Sequence, residues 1–129
     1  MTDLQTKYTI KADLERNLLR YSIAGFWDEE TMKAFLIELG RAAKPFIQSG
    51  QRFSAIGNMS DFVPQKRETA DAIQDSLMLA KKNGLVRLAL VAATPLVIIQ
   101  YRRLTQGLEF EAFDDPISAE NWILRQQAV

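Results

Sequence analysis

The chain has 129 residues, of which 47% are hydrophobic and 25% are charged, a composition typical of a single globular domain spanning residues 1–129. Lys and Arg number 16, as do Asp and Glu, and this zero formal net charge argues against nucleic-acid binding, which favours a basic excess. The chain has no His and no Cys, so it lacks the commonest general base, thiol nucleophiles and the usual transition-metal ligands. We therefore predict a cytoplasmic, non-enzymatic protein without a cofactor or a bound metal.

The first half of the chain predicts a hairpin, a helix and a third strand. Apolar and polar residues alternate over Tyr8–Ala12 and over Leu18–Phe26, which is typical of two antiparallel strands joined by a polar turn. Asp28 can cap the helix that follows, because its carboxylate can accept the free amide hydrogens of the first turn. Pro45 is expected to bend or break the end of this helix. Phe53–Met59 is predicted as the third strand.

The second half of the chain predicts alternating helices and strands. A helix over Arg67–Asn83 precedes Leu88–Ala92, which is almost wholly apolar, as in a strand covered on both faces. Three further segments follow: a helix over Pro95–Gln106, an edge strand over Glu109–Phe113 and a helix over Ile117–Gln127. With right-handed crossovers, this order predicts an α/β fold with a single mixed, mostly parallel sheet of about five strands and about four helices.

Two further features of the sequence have ordinary explanations. The most apolar stretch, Leu88–Ile99, is shorter than the roughly 20 residues that span a bilayer, so no stable membrane insertion is predicted. The neighbouring acids of Asp28–Glu30 and Asp114–Asp115 are better explained as helix caps than as metal ligands.

The residues that follow adjacent strands predict an interaction surface at the carboxyl edge of the sheet. Trp27 follows the second strand, Asp61 and Phe62 follow the third, Arg67 opens the next helix, and Thr94 follows the fourth strand. Parallel strands bring such loops together, and aromatic residues beside an Arg are typical of binding hot spots. In the alternative interpretation, Asp61 caps a turn, and Trp27 and Phe62 fill the end of the core.

Several short sequences support a family resemblance over most of the chain. They are Gly25-Phe26-Trp27, Met59-Ser60-Asp61-Phe62, the joint at Asn83–Val91, and the ending Phe110–Asp115 with Ala119–Ile123. Together with the order of elements, they resemble the STAS fold of anti-sigma-factor antagonists, and more closely the SpoIIAA-like family of small bacterial proteins. The resemblance implies a regulatory protein that binds another protein. STAS domains share their broad fold with CRAL-TRIO lipid-transfer domains, which implies the alternative of a carrier for a small apolar or lipid-like ligand.

One family feature is missing from this sequence. STAS antagonists switch partners through a serine or threonine in an Asp-Ser-Ser-Gly-like turn after the third strand. The corresponding turn here, residues 61–66, has neither a hydroxyl residue nor a glycine, and Ser60 and Thr69 fall outside it. We therefore expect no phosphorylation switch in this turn. The identity of the protein partner or apolar ligand stays open, as does homodimer formation.

Overall fold

This computed structural model describes residues 6–127, which form five strands and four helices. After the first two strands, helices and strands alternate. The elements, in chain order, are β1 (Lys7–Asp13), β2 (Leu18–Gly25), α1 (Glu29–Ser49), β3 (Phe53–Phe62), α2 (Arg67–Lys82), β4 (Leu85–Val91), α3 (Pro95–Leu104), β5 (Glu109–Phe113) and α4 (Pro116–Gln127). The predicted mixed, mostly parallel sheet with four helices is confirmed.

The strands lie in the sheet in the same order as in the chain, β1-β2-β3-β4-β5. β1 pairs antiparallel with β2, and every later pair is parallel. Each crossover therefore advances in one direction, and right-handed crossovers of this kind place their helices on one face of the sheet. Accordingly, α1, α2 and α3 pack into one core, whereas α4 packs into a second core on the opposite face.

Each central strand contributes side chains to both cores, because successive side chains of a strand point to opposite faces of the sheet. In β4, Leu88 and Leu90 belong to the three-helix core, while Ala89 and Val91 belong to the core under α4. All four are at most 2% exposed, so this central strand is covered on both faces, as its apolar run predicted.

Two local predictions need correction. α1 continues through Pro45 to Ser49, so the helix is not broken at the proline. Its last turns are held by buried Phe46, whose ring stacks on the ring of Phe53 with 5.1 Å between centroids. β3 extends three residues beyond its predicted end, because parallel pairing with β2 continues as far as Phe62. Asp61 therefore lies within a strand and not in a turn.

Candidate functional site

A largely apolar cavity of about 300 Å³ lies between α1, α2 and the sheet. Ligand pockets usually have volumes of about 300–1,000 Å³, so this cavity is at the small end of that range. It is about twice the ~150 Å³ of an apolar cavity that admits benzene. The principal lining residues are Leu36, Leu39, Gly40 and Ala43 of α1, Ile73, Leu77 and Ala80 of α2, and Leu19, Ala55 and Leu88 of the sheet.

Small residues on the two helices leave this space unfilled. Gly40, Ala43 and Ala80 line the cavity where larger side chains would fill the gap between the helices. A Cβ atom placed on Gly40 would meet no heavy atom within 4 Å. Gly40, Leu79 and Asn83 are exposed as well as lining the cavity, so the cavity reaches the surface between α1 and α2. Protein interiors normally contain few voids larger than a water molecule, which marks this one as a candidate binding site.

Two of the lining residues are tyrosines, which combine an aromatic ring with a polar hydroxyl. Tyr21 of β2 and Tyr101 of α3 line the cavity and are 8% and 3% exposed. Within residues 6–127, neither hydroxyl forms a hydrogen bond with another protein group. Burial raises the pKa of both hydroxyls above the ordinary value of 10.0, so both are neutral at physiological pH.

Gly57 of β3 sets the position of the Tyr21 ring. The two residues are paired across β2 and β3, and a Cβ atom on Gly57 would lie only 2.5 Å from Cζ of Tyr21 and 2.6 Å from its hydroxyl oxygen. The end of the ring therefore lies directly over the Gly57 backbone. The absence of a side chain at Gly57 therefore leaves room for the end of the tyrosine ring.

The carboxyl edge of the sheet has a different character, because its two aromatic residues are buried. Trp27 is 0% exposed and Phe62 is 1% exposed. The indole Nε1 of Trp27 donates to the Ala24 carbonyl at 2.8 Å, and the Thr69 hydroxyl donates to the Trp27 carbonyl at 3.2 Å. These contacts favour the interpretation in which the two aromatic residues fill the end of the core.

Gln65, which the sequence analysis did not single out, connects the loops at this edge. Its Oε1 accepts a hydrogen bond from the Trp27 backbone N–H at 2.9 Å, and its Nε2 donates to the carbonyls of Gly25 and Val63. Gln100 of α3 adds two bonds to the Gln65 backbone, at 3.0 and 2.9 Å. Glutamine is common on exposed surfaces, so its identity alone did not indicate a buried structural role.

The other three predicted site residues are exposed. Thr94 caps α3 by accepting the Val97 N–H, whereas the Asp61 and Arg67 side chains form no hydrogen bond or ion pair within the described chain. Binding crevices in open α/β sheets form where the strand order reverses, and the five described strands contain no such reversal. An interaction surface through Asp61, Arg67 and Thr94 stays a prediction.

The cavity residues were missed by sequence reasoning for a simple reason. Leu36, Leu39 and Leu77 have the same helical spacing whether they fill a core or line a cavity. The only sequence signal was a glycine in the middle of a strong helix, Gly40, together with the tyrosine in the second strand.

The arrangement of elements defines an α/β protein with a SpoIIAA-like fold. No protein-family model matches the chain, and no curated protein matches it either. A crystal structure of an uncharacterized protein of the DUF3478 family from Shewanella loihica PV-4, which has a SpoIIAA-like fold, is similar with a TM-score of 0.64 and 17% sequence identity. The match covers 95% of this chain and 98% of that chain, and at this identity it shows the fold. It confirms the SpoIIAA-like fold implied by the sequence resemblance.

The longest helix within residues 6–127 is α1, which has 21 residues and contains several charged side chains. None of the helices there is long and apolar enough to cross a bilayer.

Proposed function

We propose that this chain is a non-enzymatic, cytoplasmic binding protein that holds a small, mainly apolar molecule between α1 and α2. The observation that carries this proposal is the 300 Å³ cavity with its apolar lining and its opening between the two helices. Burying apolar surface in such a space contributes about 25 cal/mol for each Å² removed from water. The SpoIIAA-like fold is compatible with a binding role, and the cavity supports a small molecule as the ligand.

The chemistry of the cavity wall supports binding without catalysis. Among residues 6–127, its titratable groups are the hydroxyls of Tyr21 and Tyr101. Burial raises their pKa, so both stay protonated at physiological pH and neither can act as a general base. In the described part of the chain, no carboxylate, lysine or arginine lines the cavity. A ligand would therefore be held by apolar contact and hydrogen bonding, with no group placed to activate a nucleophile.

A protein partner at the carboxyl edge is the second candidate, favoured by the exposed and unpaired side chains of Asp61 and Arg67. Asp61→Ala tests it better than a change at Phe62, because Phe62 is 1% exposed and its removal would damage the core. The variant should fold normally and lose affinity for partners captured by the unaltered protein. If the variant captures the same partners equally well, Asp61 is not part of the interaction surface.

Gly40 offers a matched test of the small-ligand function. Gly40→Phe should place a ring in the open space at the mouth, while Gly40→Ala adds only one carbon atom there. The probe is pentylbenzene, an apolar molecule without hydrogen-bonding groups, and binding is followed by methyl NMR shifts. The unaltered protein and Gly40→Ala should bind the probe, and Gly40→Phe should lose at least about 1.4 kcal/mol, a tenfold change in Kd.

Circular dichroism and thermal unfolding verify that both Gly40 variants are folded. Ala should stabilise α1 by about 0.5–1 kcal/mol relative to Gly. If Gly40→Phe binds pentylbenzene as tightly as the unaltered protein does, the binding site lies elsewhere. Failure of the unaltered protein to bind either pentylbenzene or a polar analogue of the same size would overturn the proposed function.

A further inference from the structure

The hydroxyls of Tyr21 and Tyr101, two residues that line the cavity, have no role in apolar binding alone. Tyr21 and Tyr101 are both more than nine-tenths buried, and both line the cavity. A hydroxyl without a protein partner is free to hydrogen-bond to water or to a ligand. Among the described residues, neither hydroxyl has a protein partner. Each hydroxyl is therefore available to a molecule bound in the cavity that its residue lines.

The placement of the Tyr21 hydroxyl is set by the fold. Its ring lies over Gly57 and makes an aromatic contact with Phe35 of α1, with 6.1 Å between ring centroids. The Tyr101 ring makes an edge-to-face contact with the ring of Phe62, with 6.4 Å between their centroids. The two phenols are close enough for charge on Tyr21 to raise the pKa of Tyr101, yet they do not hydrogen-bond to each other.

We infer that the ligand is an apolar molecule carrying a neutral carbonyl group, whose oxygen accepts a hydrogen bond from Tyr21 or Tyr101. This inference rests on the proposed function and specifies the chemistry of its ligand. A phenol O–H is a good donor to a carbonyl oxygen, and the surrounding wall matches the rest of an apolar ligand.

A neutral group is favoured over a carboxylate at this position. An ionised group buried without an opposite charge is strongly disfavoured. The described residues that line the cavity include no Lys or Arg. The other polar lining residues, Ser76 and Asn83, are half-buried and exposed respectively, so they can reach water at the surface. The tyrosine hydroxyls are thus the groups that select the ligand inside the cavity.

A matched pair of probes tests the inference on the full chain. Pentylbenzene and valerophenone share one skeleton and differ only by a CH₂ group in place of a carbonyl. With NMR titration, valerophenone should bind the unaltered protein about threefold to tenfold more tightly, the gain expected from one neutral hydrogen bond. Both probes should bind more tightly than 5-phenylpentanoate, which carries a carboxylate.

The third tyrosine of the chain provides the control. Tyr8 is 42% exposed, its hydroxyl donates to Glu38, and it does not line the cavity. The preference for valerophenone should fall toward one in Tyr21→Phe or in Tyr101→Phe and persist in Tyr8→Phe. Phe keeps the aromatic ring, and no protein hydrogen bond is lost at either cavity position, so both variants should fold.

The possible outcomes separate the inference from the proposed function. Equal binding of the two neutral probes, or a preference that survives in the Tyr21→Phe/Tyr101→Phe double variant, overturns the inference and leaves the apolar binding site intact. Tighter binding of the carboxylate overturns the neutral ligand class. Absence of binding by both neutral probes overturns the inference and the proposed function together.

Discussion

Gly57→Ala should destabilise the protein even though alanine is the better strand residue. Gly57 lies in regular strand backbone, where replacing Gly with Ala would by itself stabilise by about 0.5–1 kcal/mol. The new Cβ, however, would lie 2.5 Å from Cζ of Tyr21, well inside contact distance. Overpacking of this kind costs about 1–3 kcal/mol. After the gain of about 0.5–1 kcal/mol is subtracted, the expected net loss is about 1 kcal/mol and at most about 2.5 kcal/mol.

The cavity limits the size of this loss. Tyr21 lines the cavity, so its ring can relieve the clash by moving into that space. That movement reduces the space for a ligand. Gly57→Ala should therefore also weaken pentylbenzene binding, which a change confined to the strand would not do.

Urea unfolding gives the free energy directly for a domain of this size. Gly40→Ala is the matched control, since its Cβ meets no atom within 4 Å and it should be stabilising. In a Tyr21→Leu background the ring is gone, and Gly57→Ala should become neutral or stabilising, a coupling of about 1–3 kcal/mol. A loss that is the same in both backgrounds would refute the proposed contact between Tyr21 and Gly57.

Three further predictions concern the core, the tyrosines and the carboxyl edge. Leu90→Ala should cost about 2–5 kcal/mol in denaturant unfolding, because Leu90 is 0% exposed in the central strand, and a loss below about 1 kcal/mol would contradict its placement. Burial raises the folded-state pKa of Tyr21 and Tyr101 above 10.0, so their contribution to the free energy of unfolding is intact below pH 10 and is lost as the pH rises beyond it. The Tyr21→Phe/Tyr101→Phe double variant should therefore lose stability less steeply with rising alkaline pH. Equal slopes for the two proteins would contradict the burial of these hydroxyls. Gln65→Leu should cost about 1–3 kcal/mol in thermal or urea unfolding, because it leaves buried backbone groups unpaired, whereas the exposed Lys66→Ala control should change stability by about 0.5 kcal/mol or less.

The sequence by itself determined the elements and the class of fold. Alternation in β1 and β2, the apolar run in β4 and the capping residue Asp28 each depend on local chemistry, which acts within a few residues and is visible in the chain. Pro45 does not break α1, because the local cost of the proline is offset by packing between α1 and the sheet. That packing is a tertiary contact and is not visible in the local sequence. The extension of β3 likewise depends on pairing with β2.

The candidate site was decided only by the tertiary structure. Whether Trp27 and Phe62 face solvent depends on how the loops close over them, and here Gln65 joins those loops and buries both rings. A cavity is a property of the space between elements: the same apolar spacing fills a core or lines a pocket, according to the distance between α1 and α2. The pairing of Tyr21 with Gly57 joins residues 36 positions apart in the chain, so only the sheet register could reveal it.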